Sequence, residues 1–456
     1  MRRAVKSEGC DCRDMTYSYK SIIRLVWPLA LGMINNAVMQ FVDRAYLAHH
    51  SMLSLEACLP ASALAGVFVG FFQSVVGFSG VLVAQYHGAG DEMNCRNSYR
   101  AGMWIAVASG FLMLPLVPLG WLIFSLASPS AELFACERSY YNLVMIGSVF
   151  LFGQMAASSY FTGRGRTRLV FWVNLIGNLV NIALDPILIF KFEMGIEGAA
   201  IATVFSQLLQ FVVLVAIAHD KGAGLKADLS PDIGIVRRIL RFGLPAGGYE
   251  VLNMLSFTIF VFVTETVGGV EFAVSNACFT ISYLLFAPLT GFALGAQTLV
   301  GSYRGAGDDA GAMKAVRRTV GLGLAFCALA SVLLLVFNRQ ILGLFAPADA
   351  ARNADFLRIG FWMVVSVASW MIFDALDTIL CGALKGAGDT RFVFWWMLVC
   401  AFLVWMPLTF AVRYFGGSML WLWSTMLVYV IVISMGSLVR WRRGGWKTVK
   451  VLETSI

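Results

Sequence analysis

Apolar runs of about twenty residues, long enough to cross a bilayer as helices, lie near 22–48, 57–86, 98–125, 136–161, 169–190 and 197–218. After a polar stretch they resume near 237–264, 275–303, 317–337, 357–381, 392–413 and 419–440. This pattern predicts an all-α polytopic membrane protein with twelve transmembrane helices. It is also written twice. Tyr86-His-Gly-Ala-Gly-Asp91 returns as Tyr303-Arg-Gly-Ala-Gly-Asp308, and Pro28 returns at the same spacing as Pro245. Gly163-Arg-Gly-Arg-Thr-Arg-Leu-Val-Phe-Trp172 returns as Gly386-Ala-Gly-Asp-Thr-Arg-Phe-Val-Phe-Trp395. Six spans per half is an even number, so both halves enter the membrane in the same sense. The repeat is then parallel, related by rotation about the membrane normal.

Two pseudo-symmetric six-helix lobes follow, over 21–218 and 237–440. A cytoplasmic linker over 219–236, carrying Gly222, Gly224, Ser230 and Pro231, joins them. Tails of 1–20 and 441–456 flank the lobes. The first twenty residues are polar, with no apolar core ahead of a small-residue cleavage site. The first apolar segment is therefore expected to remain as a span.

Composition supports the membrane assignment and charge orients it. Hydrophobic residues form 59% of the chain and charged residues 13%, too few to cover a soluble protein of this size. The net charge of +8 would suit nucleic acid, but its placement argues against that. Arg164, Arg166, Arg168, Arg237, Arg238, Arg241, Arg317, Arg318, Arg440, Arg442 and Arg443 fall on one side of the predicted membrane. That side is the cytoplasm if both termini face it. The expected location is a cell membrane, the bacterial cytoplasmic membrane, crossed many times. Lipid is the expected partner, and nucleic acid is not.

The cysteines are scattered, mostly inside apolar segments where a thiol acts as a small hydrophobe. Cys10 and Cys12 are too close for a zinc site and have no partner cluster. The two Gly-x-Gly-x-Thr motifs lack the GxxxxGK[ST] form of a phosphate loop and read as tight turns between helices. In Tyr-x-Gly-Ala-Gly-Asp the glycines end one helix and the aspartate caps the next. These motifs are read as architecture.

Acidic residues inside spans are functional candidates, because a charge at bilayer depth costs roughly 2.5–3.5 kcal/mol on insertion scales. Asp43, Asp185, Glu250, Asp374 and Asp377 are the candidates, with Arg44 as the one clear basic counterpart. Asn174, Asn178, Asn181 and Asp185 recur at helical spacing, so they share a face that must meet a lumen or a polar cluster. Pro186 then removes the helical donor for the carbonyl of Ile182, which is expected to open the helix beside Asp185. Asp374 and Asp377 lie on nearly one face, where a proton or a sodium ion would relieve their repulsion. Trp172, Met254, Phe257, Trp370, Phe373, Trp395 and Trp396 are candidates to line an organic-cation path.

Taken together, residues 20–440 resemble the multidrug and toxic compound extrusion (MATE) family. Phe-Val-Asp43 looks like that family's first-helix aspartate. Asn181-x-x-x-Asp185-Pro186, followed by Gly-Ile-Glu-Gly-Ala-Ala-Ile-Ala-Thr203, is similar to its fifth- and sixth-helix signature. Asp374 matches its tenth-helix aspartate. The resemblance implies a V-shaped pair of lobes that extrudes organic cations in exchange for protons or sodium, acting as a monomer without a cofactor. It implies cation coupling at Asp43, Asn181, Asp185 and Thr203, with sodium held at the first three if sodium is the ion, and at Asp374 in the second lobe. Substrate contacts are expected from Asn174, Asn178, Glu250, Asn253, Trp370 and Asp377. Asn253 stands where many members carry a glutamate, and Trp370 where a tyrosine is common. Both changes favour coupling through the first lobe.

A lipid-linked oligosaccharide flippase of the same superfamily is the alternative, but its anionic substrate calls for buried arginines. An enzyme calls for a convergent His or Cys constellation. His49, His50, His87 and His219 lie at span ends or in loops, so no catalytic residue is expected.

Overall fold

The computed structural model describes residues 18–127, 130–219, 230–346 and 350–452. Among them are twelve helices long and apolar enough to span a membrane. They are α1 (Tyr19–His50), α2 (Met52–Gly88), α3 (Glu92–Leu126), α4 (Ala131–Gly163), α5 (Thr167–Lys191) and α6 (Gly195–Ala218). The second six are α7 (Ile233–Glu265), α8 (Gly269–Gly305), α9 (Asp309–Val336), α10 (Ala354–Ala387), α11 (Thr390–Tyr414) and α12 (Met419–Arg443). Helices are the expected answer to a solvent that offers backbone groups no hydrogen bonds. Most of the linker, residues 1–17 with Cys10 and Cys12, and the last four residues lie outside the described residues. The linker does end earlier than 236. Helix α7 begins at Ile233, where Asp232 Oδ1 accepts from the backbone N–H of Ile235 at 3.1 Å.

The repeated motifs fold alike. Gly90 and Gly307 take φ of 76° and 74°, a left-handed conformation that a side chain would strain. Asp91 Oδ1 then accepts from Asn94 N at 3.0 Å, and Asp308 Oδ1 from Gly311 N at 2.7 Å, so each aspartate caps the next helix. His87 and Arg304 occupy equivalent places and pair with the equivalent acids Glu92 and Asp309, at 2.8 and 2.9 Å. Gly165 and Gly388 turn the chain between α4 and α5 and between α10 and α11 in the same way.

Each lobe has its own apolar core. Tyr141, Phe152, Tyr160 and Phe161 anchor the N-lobe. Phe260, Trp405, Trp423 and Tyr429 anchor the C-lobe, where the rings of Trp405 and Tyr429 stack at 4.5 Å. A further cluster straddles the lobes, packing Leu25, Val26 and Leu29 of α1 on Ala296, Leu299 and Val300 of α8.

Glycines let the lobes approach. A methyl group on Gly291 would fall 2.4 Å from the backbone of Ala30, and one on Gly247 would fall 2.7 Å from the Phe71 carbonyl. The tightest approach joins the two copies of the motif. A Cβ on Gly88 would lie 2.0 Å from the carbonyl oxygen of Ser302, and one on Gly305 would lie 1.8 Å from that of Gln85. The contact is reciprocal, because Ser302 and Gln85 are equivalent positions of the repeat. It sits at the face that carries the ion pairs of Arg164, Arg304 and Arg440. Farther along the same two helices, the Tyr283 hydroxyl of α8 donates to Gln40 of α1 at 3.5 Å.

Candidate functional site

The polar stripe of α5 turns inward. Asn178, Asn181 and Asp185 are buried and Asn174 is half-buried, while Trp172, Ile176 and Leu179 on the other side are exposed. Three helices, α1, α4 and α6, meet this stripe with polar groups. Asn178 Nδ2 donates to Asn36 of α1 at 2.7 Å, and Gln210 of α6 donates to Asn178 Oδ1 at 3.1 Å. Gln154 of α4 donates to Asn174 at 3.0 Å. Nearer the end of α5, the Asn181 amide donates to Asp43 Oδ1 at 3.0 Å, and its oxygen accepts from the backbone N–H of Thr203 at 3.3 Å. The Thr203 hydroxyl itself donates back to Ala199 O. Asp43, Asn181, Asp185 and Thr203 thus converge from α1, α5 and α6.

Asp43 and Asp185 lie close enough for their carboxyl groups to act on one another. Asp185 is fully buried, and neither of its oxygens meets a donor N–H or O–H among the described residues. Two ionised carboxylates in that position would repel at low dielectric, with one amide donor from Asn181 and the neighbouring charge of Arg44 acting only on the Asp43 side. A single proton shared between them, or a small cation seated on both, removes the conflict. The arrangement can take up a proton or a small cation.

Pro186 does not leave a broken helix. The chain stays helical through Pro186, then widens into a π-helical turn over Ile187–Lys191, with Phe192 N donating to Ile187 O at 3.0 Å. A wide turn of this kind commonly absorbs a proline inside a span. A similar turn, Val399–Trp405, interrupts α11.

The C-lobe candidates have different surroundings. Asp377 is buried and accepts from the Ser437 hydroxyl at 2.7 Å. Asp374, one turn away, is half-buried and has one oxygen without a donor. Trp370 is buried with its indole N–H unmatched, and Asn253 is half-buried on α7. The reading of Arg44 as the one basic counterpart needs correction. Lys385 Nζ donates to Glu250 Oε1 at 2.9 Å, so the Glu250 carboxylate is already ion-paired. Lys385 went unnoticed because a lysine at the basic end of a span usually reads as an interfacial anchor. Asn36, Gln154 and Gln210 were missed as isolated amides in apolar runs, although each lies inside a span, where a polar group needs a partner.

Among the aromatic and methionine candidates, Met254 packs on Gly66 and Gly70 of α2, in the seam between lobes. Trp172 and Trp395 point to the outer apolar surface. Trp396 is tied inside the C-lobe by its N–H to Ile433 O at 3.0 Å.

A family model described as MatE matches residues 28–187 and again 245–411, once in each lobe. The chain belongs to the MATE family of membrane transporters. It is 24% identical over 445 residues to a probable multidrug resistance protein NorM of Thermotoga maritima, covering 95% of this chain and 94% of that one. It is 26% identical over 415 residues to a probable multidrug resistance protein NorM of Pseudomonas aeruginosa, with coverage of 87% and 83%. Among solved structures, it resembles an outward-facing multidrug resistance MATE transporter of the MOP superfamily. The TM-score is 0.85 at 19% identity, over 94% of this chain and 97% of that chain. A MOP superfamily transporter from Pyrococcus furiosus, described as having a binding pocket of reverse polarity, gives a TM-score of 0.86 at 18% identity, with coverage of 94% and 97%. These likenesses carry the two-lobed MATE fold.

Proposed function

We propose that this protein is a cation-coupled multidrug antiporter that exports small organic cations by alternating access, driven by protons or sodium. The observation that carries the reading is the Asp43–Asp185 pair, two facing carboxyls inside the N-lobe to which no salt bridge runs among the described residues. In the cycle, the ionised pair attracts a lipophilic cation from the cytoplasm. The lobes rock about their glycine-lined seam. A proton or sodium ion arriving from outside then neutralises the pair and releases the substrate.

Asn181 and Thr203 hold Asp43 in position for this exchange, and the Asn36–Asn178–Gln210 seam fixes α5 against α1 and α6. The basic face is the cytoplasmic one, with both termini there, and the protein works as a monomer in a bacterial cytoplasmic membrane. The NorM relatives, both named as probable multidrug resistance proteins, support the substrate class. The carboxylate and amide lining of the N-lobe favours a cation over the anionic substrate of a flippase. The test is substrate exchange in proteoliposomes, with pH and sodium gradients imposed separately. Ion-driven efflux in wild type, lost in Asp185→Asn protein that remains folded, is the expected result. Undiminished ion-driven efflux by that variant would refute the assignment.

A further inference from the structure

Lys385 stands two residues before the end of α10, yet its ammonium turns inward. The side chain is 14% exposed, Nζ bonds Glu250 Oε1 at 2.9 Å, and the charge lies 4.1 Å from the centre of the Tyr249 ring. Asp377 and Cys381, on successive turns of α10, are the other titratable groups that act on it. Glu250 belongs to the face of α7 that meets the N-lobe. Gly243, Gly247 and Met254 on that face pack against Val75, Phe71 and Gly66 of α2, and Glu250 falls between them at helical spacing. The carboxylate, 35% exposed, therefore borders the seam between the lobes, while its ammonium partner is enclosed behind it.

We propose that Lys385 is a resident cation of the C-lobe. Its ammonium fills, from within the chain, the place beside Glu250 that a free proton or alkali cation would otherwise take. Removing one member of an enclosed ion pair leaves the other charge stranded, whereas removing both is far better tolerated. A primary ammonium is close to a hydrated sodium ion in charge and in its preference for several oxygen ligands, but it cannot leave. The place beside Glu250 is thereby closed to external cations. The proposal deepens the antiport reading, and because its test measures ion binding and not transport, either one can fail alone.

The full chain, purified in detergent, is melted in sodium chloride and in choline chloride at equal ionic strength near neutral pH, and again in choline at about pH 5.5. Lys385→Met is expected to melt several degrees below wild type in neutral choline and to regain most of that loss in sodium or in acid. Adding Glu250→Gln to Lys385→Met should abolish the regain and bring the melting point back towards wild type in every buffer. Lys385→Arg, which keeps a fixed cation, should show no regain beyond that of wild type. The proposal is overturned if Lys385→Met melts alike in all three buffers, or if its regain persists once Glu250 is replaced. Should Lys385→Met fail to survive purification in choline, its recovery in sodium or acid supports the proposal. Failure in all three while the double variant folds overturns it.

Discussion

In the N-lobe, Asp43 and Asp185 face one another among amides, and no salt bridge reaches either one among the described residues. In the C-lobe, Asp377 takes a hydroxyl from Ser437 and Glu250 takes an ammonium from Lys385. Both lobes descend from one repeated plan, and both bury acids where bilayer depth makes charge costly. The C-lobe supplies Asp377 and Glu250 with partners and leaves one oxygen of Asp374 unmatched, whereas in the N-lobe neither oxygen of the buried Asp185 meets a donor among the described residues.

The sharpest way to break this comparison is to neutralise one acid in each lobe. Asp185→Asn should lower ion-driven efflux by about a hundredfold or more, equivalent to about 2.7 kcal/mol at the limiting step. Asp377→Asn, whose partner is a neutral hydroxyl, should leave most of the efflux in place. Equal losses would mean that the lobes share the coupling.

The response to pH is the next largest effect. Each proton taken up by the Asp43–Asp185 pair removes one negative charge from the site. Affinity for an organic cation should therefore fall as pH falls, by up to about tenfold per unit for each coupled proton. Asp43→Asn should flatten that slope in equilibrium binding, while Glu250→Gln should not. A slope unchanged in Asp43→Asn would move the titrating group elsewhere.

The seam offers a test in which the lobes should behave alike. Gly88→Ala and Gly305→Ala each press a methyl into a carbonyl of the opposite lobe. Both should destabilise the packed basic face by about 1–3 kcal/mol. Spin-label distances across that face should lengthen to the same degree in both variants. The smallest effect is expected at the caps. Asp91→Ala and Asp308→Ala should each cost about 1 kcal/mol in thermal or denaturant unfolding, with transport retained.

Much of this molecule could be read from its residues. Twelve apolar runs gave twelve spans, and the Tyr-x-Gly-Ala-Gly-Asp repeats gave matching turns with capping aspartates, because span length and left-handed glycines are local properties. The α5 stripe was legible for the same reason, since Asn174, Asn178, Asn181 and Asp185 differ by whole helical turns. What escaped was long-range. Nothing near Glu250 in the chain announces Lys385, and Asn36, Gln154 and Gln210 acquire meaning only once α1, α4 and α6 are set around α5. The consequence of Pro186 was half legible: the helix does loosen there, but a π-helical turn takes up the slack without a break.

The meeting of Gly88 with Ser302, and of Gly305 with Gln85, carries a consequence for ancestry. Each half presents a bare glycine and a backbone oxygen, and each receives the same two features from its counterpart. A surface of that kind is complementary to itself, as in two-fold dimers. A polypeptide of half this length, bearing one such turn, already holds both sides of the joint. Fusion of two such genes would have preserved a pre-existing association, after which one half was free to acquire a lysine that the other never did.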